Sequence, residues 1–157
     1  YRKNIDTINL LVQNGADLNL KSLSNTTPLV NAIFYKDLAL VKSLIDLGAD
    51  INHFSGSGST PLTEAVYNNC TEVIRFLLES GADVNLPDGE GNPPLLYAIQ
   101  GSYRQSTELL EQHGANRCNA QEAMRRNTLG NIWGLEGIST FEWIDPTTKK
   151  ITPIRLN

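Results

Sequence analysis

Residues Gly58–Glu90 read GSTPLTEAVYNNCTEVIRFLLESGADVNLPDGE. The order of signals is turn, short helix, turn, longer helix, glycine stop and extended loop. Thr60 is a good helix cap, because its hydroxyl accepts an orphan backbone N–H. Pro61 suits the first helical position, where its missing N–H costs nothing. Val73, Ile74, Leu77 and Leu78 fall on one face of the second helix. Gly81 follows as a left-handed stop would, and Gly81-Ala82-Asp83-Val84-Asn85 turns the chain outward.

This punctuation recurs along the chain. Gly15, Gly48, Gly81 and Gly114 are each 33 residues apart, as are Pro28, Pro61 and Pro94 and as are Ala32, Ala65 and Ala98. Leu29, Leu62 and Leu95 follow the prolines. A fixed period of this length marks a stack of like units, each burying its apolar face on its neighbours.

Working outward, residues 4–14 predict a helix with Ile5, Ile8, Leu11 and Val12 on one face, ended by Gly15. It is the second helix of a unit whose first helix would precede Tyr1, so an upstream segment is expected. In the next unit, Thr27-Pro28-Leu29 opens a helix to about Tyr35. A second helix follows, from about Leu38 to Leu47, carrying Leu40, Val41, Leu44 and Ile45. The unit after Glu90 is altered: Pro93 replaces the Thr cap, and Ser106, Thr107 and Glu111 stand where Leu40, Val41 and Ile45 stand in the earlier copy. A stripe that turns polar is expected of a terminal unit. Beyond residue 118 the period fails. Asn119 and Glu122 suggest a capping box and a short helix to about Asn127, with Gly130, Gly134 and Gly137 breaking regularity. STFEWID and KKITPIRL, separated by Pro146-Thr147-Thr148, suggest a β-hairpin.

The paired T-P-L and G-A-D-x-N motifs, held in register over several copies, resemble the ankyrin repeat across roughly residues 4–118. The resemblance implies an all-α solenoid of antiparallel helix pairs with hairpin-like loops. On this reading 1–24 is a half repeat, 25–57, 58–90 and 91–118 are repeats, and 119–157 is a capping extension or the start of a further domain. The family's T-P-L-H carries Val30, Thr63 and Leu96 at its His position here, so loops held less firmly are expected.

The resemblance implies a protein or peptide partner bound at the loop tips and the exposed side of the first helices. In this register the candidate contact residues are Leu23, Phe34, Tyr35, Tyr67, Asn68 and Gln100, with Phe54 as a further exposed aromatic. Aromatic side chains bury much area at little entropic cost, so they favour interfaces. Asn19, Asn52 and Asn85 have Leu11, Leu44 and Leu77 eight residues before them, a spacing that resembles sites of asparaginyl hydroxylation. The alternative for these Asn, and the reading taken for Asp17, Asp50 and Asp83, is a role in holding the turn backbone.

Chemistry has little support elsewhere. His53 and His113 have no second ligand at metal spacing, and the nearest His–Cys pairing, His113 with Cys118, spans only a turn. LPDGEGN at 86–92 lacks the Lys-Ser/Thr of a phosphate loop and the ligand spacing of a calcium loop. No catalytic residue, cofactor or metal is expected. A net charge of −4 argues against nucleic acid, and no apolar run approaches the roughly 18 residues of a membrane span. Two cysteines 48 residues apart fit a reducing compartment. The expectation is therefore a monomeric, cytoplasmic, non-enzymatic interaction module. The alternative is the targeting arm of a larger enzyme or of a bacterial effector, acting in a host cytosol.

Overall fold

A computed structural model describes the backbone of residues 2–133, 140–144 and 151–155, and the side chains of residues 5–128. The order of elements is α1 (Arg2–Gln13), α2 (Pro28–Phe34), α3 (Leu38–Asp46), α4 (Pro61–Tyr67), α5 (Thr71–Glu79), α6 (Pro94–Gln100), α7 (Arg104–Gln112), α8 (Arg117–Trp133), β1 (Thr140–Ile144) and β2 (Ile151–Arg155). The chain divides into two compact units, 1–123 and 124–157. The division falls within α8; the boundary expected from the repeat period, 118/119, lies in the first turn of that helix.

In the first unit the helices pair as α2–α3, α4–α5 and α6–α7. The first helices stack in one row, α2 on α4 on α6, and the second helices in another, α3 on α5 on α7. A seven-residue helix is too short to be stable alone, so burial holds it. Leu29, Ile33, Leu62, Val66, Leu95 and Leu96 from the first helices meet Val41, Leu44, Ile74, Leu77, Leu109 and Leu110 from the second, all at most 4% exposed.

Local chemistry sets the helix starts. Thr27 Oγ1 accepts the N–H of Val30 at 3.3 Å. Thr60 Oγ1 accepts the N–H of Thr63 at 3.1 Å, and Thr63 Oγ1 accepts the N–H of Thr60 at 2.8 Å, a reciprocal cap. Pro93 supplies no side-chain cap to α6. Asp37 caps α3 by accepting the N–H of Leu40 at 3.1 Å. The turn between the helices of each pair places a residue in the left-handed region: Lys36 (φ 57°), Asn69 (φ 50°) and Ser102 (φ 54°), none of them glycine.

Several details differ from expectation. Ser106 is not an exposed edge of a terminal repeat. It is fully buried, and its hydroxyl donates to Asn69 Oδ1 of the preceding repeat at 3.2 Å. The polar stripe thus joins two repeats at this point. The helix after the stack begins at Arg117 rather than after a cap at Asn119, because Asn116 Oδ1 accepts the N–H of Cys118 at 2.9 Å and caps it three residues early. It also continues past Asn127 and through Gly130 to Trp133. A glycine inside a helix costs about 1 kcal/mol relative to Ala and does not by itself end it. Gly134 and Gly137 lie outside the described residues. Ala120 and Ala123 are buried at the end of the first unit.

In the second unit β1 and β2 pair antiparallel, with Thr140 opposite Arg155 and Ile144 opposite Ile151. The connection expected at Pro146-Thr147-Thr148 lies outside the described residues.

Candidate interaction surface

The loops between repeats are closed by their own backbone, despite Val30, Thr63 and Leu96 at the family's His position. The N–H of Ser22 bonds Thr26 O, that of Ser55 bonds Ser59 O and that of Asp88 bonds Asn92 O, at 2.9, 2.9 and 3.0 Å. Successive loops are also bonded to each other. Gly56 N–H donates to Asn25 O at 2.5 Å, and Gly89 N–H to Gly58 O at 2.9 Å. Gly58 has φ +84°, and a Cβ there would lie 3.0 Å from Gly89 Cα, so close approach of two backbones requires glycine.

Below the loops runs a second ladder. Asp17, Asp50 and Asp83 each accept, through Oδ1, the N–H two residues on, from Asn19, Asn52 and Asn85 at 2.8, 2.9 and 2.9 Å. Asn19, Asn52 and Asn85 accept, through their own Oδ1, the N–H of Asp50, Asp83 and Asn116 in the following repeat, at 2.9, 3.0 and 2.8 Å. Asn85 Nδ2 also donates to Gly114 O at 3.1 Å. The recurring Asp holds its own turn and the recurring Asn ties that turn to the next. The amide oxygens of the three hydroxylation candidates are thus engaged in the fold.

The candidate contact residues divide by exposure. Phe34, Tyr35 and Tyr67 are 57, 72 and 68% exposed, unusual for large apolar side chains in a stacked core. Leu23 is fully exposed at a loop tip, Phe54 is 39% exposed and Gln100 is exposed at the end of α6. Phe34 and Tyr67 hold the same helix-end position in consecutive repeats. Phe34 meets Tyr35 edge to face at 5.4 Å between ring centroids. Asn68 is half-buried, and its amide donates to Glu64 O and Oε1 at 2.9 and 2.8 Å. Its backbone O takes a bond from Lys36 Nζ at 3.1 Å, so Asn68 is first a strut between helix-pair turns.

Sequence reasoning missed Tyr97. Its ring meets Tyr67 edge to face at 6.2 Å. Its hydroxyl donates to Asp88 Oδ2 and accepts from Asn92 Nδ2. Burial and the bond to Asp88 push the Tyr97 hydroxyl up to about 12. The preceding repeats carry Glu64 and Asn31 at this position, so the period gave no signal for an aromatic.

The residues screened for chemistry lie apart. His53 Nδ1 is 3.7 Å from Asp50 Oδ2, and His113 Nδ1 is 2.9 Å from Leu109 O. Cys118 is exposed and free; Cys70 is free and half-buried, and burial pushes its thiol up. Among the described residues no group of three His, Cys, Asp or Glu side chains converges to hold a metal ion. Among them, too, no helix is long and apolar enough to cross a membrane.

Comparison with known proteins follows the same lines. No curated protein matches the chain. Among solved structures it is similar to the Legionella effector AnkH, with a TM-score of 0.78 at 23% identity. That similarity covers 98% of this chain and 34% of AnkH, so the chain spans about a third of that protein's length. A family profile described as ankyrin repeats (3 copies) matches residues 1–88 and 57–122. The periodic glycines, the T-P-L helix starts, the paired helices and the family match agree: the chain belongs to the ankyrin-repeat family.

Proposed function

We propose that the chain binds a protein or peptide partner without catalysing a reaction on it, using the face that carries Phe34, Tyr35 and Tyr67, backed by Tyr97. Ankyrin repeats are protein-interaction modules, and the partner, the face and the absence of catalysis are the proposal. The observation that supports it is the exposure of Phe34 and Tyr67 at one recurring position, on helices whose aliphatic side chains are buried. A rigid platform lowers the ordering cost of binding, and aromatic anchors supply most of the energy of many interfaces. Leu23, Phe54 and Gln100 would extend the contact from the loops and from α6.

The test begins with peptides selected from a displayed random library against the intact chain. Each is titrated against the Phe34→Ala, Tyr67→Ala and Arg75→Ala variants, with circular dichroism to verify the fold. Affinity is expected to fall about tenfold or more in the first two, or about 1.4 kcal/mol per tenfold. It is expected to hold in the third, which alters the exposed side of α5. Unchanged affinity in Phe34→Ala and Tyr67→Ala would place the binding face elsewhere.

A second reading keeps the same face in a larger setting, as the targeting arm of a longer protein such as an effector. The structural similarity to part of a Legionella effector favours considering it. Its test is whether the chain, produced with the natural sequence on both sides, directs a linked activity to the same selected partner. Equal targeting by the Phe34→Ala/Tyr67→Ala double variant would reject that role.

A further inference from the structure

Two outward positions recur on the first helices, and their chemistry changes along the row. One reads Asn31, Glu64 and Tyr97; the other reads Phe34, Tyr67 and Gln100. A loop-tip position reads Ser24, Ser57 and Glu90. The row is aromatic and uncharged on α2, and turns acidic from α4 to the loop before α6.

The acidic end surrounds the Tyr67–Tyr97 pair. Asp88 is engaged in the fold: Oδ1 accepts the N–H groups of Glu90 and Asn92, both at 2.9 Å, and Oδ2 accepts the Tyr97 hydroxyl. Glu90 Oε2 accepts from Asn92 Nδ2 at 3.2 Å, and the same amide donates to the Tyr97 hydroxyl. Glu64 lies three residues before Tyr67, on the same side of α4, and its Oε1 accepts from Asn68 Nδ2 at 2.8 Å. Glu64 and Glu90 thus each use one oxygen on an internal amide, and a carboxylate has room for further donors. No ion pair among the described residues involves Glu64, Asp88 or Glu90. Lys21 and Lys36 lie in the loop before α2 and the turn after it, and Lys36 Nζ donates to Asn68 O.

The complement of such a surface is a cation beside an apolar group. Arginine suits it better than lysine, because a planar guanidinium stacks on an aromatic ring and forks onto carboxylates. Packed helices lie about 8–10 Å apart. One to two steps along the row are therefore spanned by about three to six residues of extended chain.

We propose that the occupant of this face is a basic peptide segment of a partner protein. Its arginine lies against the Tyr67 ring and pairs with Glu64 and Glu90, while a neighbouring apolar side chain lies on Phe34 and Tyr35. The inference rests on the binding face proposed above and adds the chemistry of what it binds.

The test uses the library-selected peptides, each resynthesised with Gln in place of every Arg and Lys. Both forms are titrated against the intact chain and its Glu64→Gln, Glu90→Gln and Glu79→Gln variants, at low and at high salt. Gln keeps an amide oxygen for Asn68 and Asn92, and circular dichroism verifies the fold. The basic form should bind about tenfold more tightly than its Gln form, and high salt should narrow that gap. Glu64→Gln and Glu90→Gln should each weaken the basic form about two- to fivefold and leave the Gln form unchanged. Glu79→Gln, on α5, should alter neither. Peptides that depend on Phe34 and Tyr67 but lack a basic residue, or bind equally as Gln forms, overturn this proposal and leave the face standing. So does indifference to Glu64→Gln and Glu90→Gln, or an equal loss in Glu79→Gln, which would make the effect one of net charge alone. Peptides indifferent to Phe34→Ala and Tyr67→Ala, or a library without binders, overturn the face and its occupant together.

Discussion

Asn52 and Asn85 occupy equivalent positions yet carry different loads. Asn52 Oδ1 takes one inter-repeat bond, from Asp83 N–H. Asn85 takes the equivalent bond from Asn116 N–H and adds one to Gly114 O. A net hydrogen bond contributes about 1 kcal/mol. Asn52→Ala should therefore cost about 1 kcal/mol and Asn85→Ala about 2, read as shifts in the urea midpoint at constant slope. Gly58→Ala should cost about 2 kcal/mol in the same measurement, since a left-handed Ala carries roughly 1–2 kcal/mol of strain and its Cβ meets Gly89. Tyr97 gives a pH dependence with a definite sign. Its hydroxyl is harder to ionise folded than unfolded, so its contribution is complete below its ordinary value of 10. That contribution is lost as pH rises from 10 through about 12. The wild-type Tm should therefore fall more steeply over that window than that of Tyr97→Phe. Equal slopes would show that burial and the Asp88 bond do not hold the Tyr97 hydroxyl above its ordinary value.

At the scale of the element, the helix pair is defined by its starts and its turn. Thr60→Ala should destabilise by about 1–2 kcal/mol, at the upper end for a cap, because the reciprocal bonds with Thr63 are lost together. The turn offers a gain. Ser102 sits at φ 54°, where serine is strained, and Ser102→Gly should stabilise by roughly 0.5–1 kcal/mol once the greater freedom of unfolded glycine is deducted. Asn69→Gly should not, because Asn69 Oδ1 receives the hydroxyl of buried Ser106. These elements differ in how far the sequence disclosed them. The helices were legible because Thr-Pro-Leu starts and glycine stops are local, and the period repeats them. The left-handed Lys36, Asn69 and Ser102 were not, because none is the glycine that usually marks such a turn. Ser106 was misread because a polar residue on an apolar stripe resembles a surface until its partner, 37 residues away in sequence, is known. For the candidate surface, Phe34 and Tyr67 stood out as large side chains at positions the period leaves free. Tyr97 could not, since its role depends on Asp88 and Asn92 folding back on it.

At the scale of the molecule, each repeat of the first unit packs on its neighbours, so stability is close to a sum of repeats and interfaces. The end at α1 has half-covered apolar side chains, while the repeat 58–90 is covered on both sides. Backbone amides of α4 and α5 should therefore exchange with solvent more slowly than those of α1, measured by hydrogen exchange at neutral pH. Ile74→Ala, at a fully buried site in that central repeat, should cost about 2–5 kcal/mol and speed exchange in α3 and α7 as well. The Asn ladder has a direction that bears on descent as well as stability. In each bond to an Asn Oδ1 the acceptor belongs to the earlier repeat and the backbone N–H donor to the next. Excising residues 58–90 would remove one of each and bring Asn52 to face Asn116, so the cut ends would match. A duplication would match in the same way. Change by whole 33-residue units is chemically silent along this spine, whereas a deletion of any other length is not, and so the number of repeats is free to drift while their spacing is held.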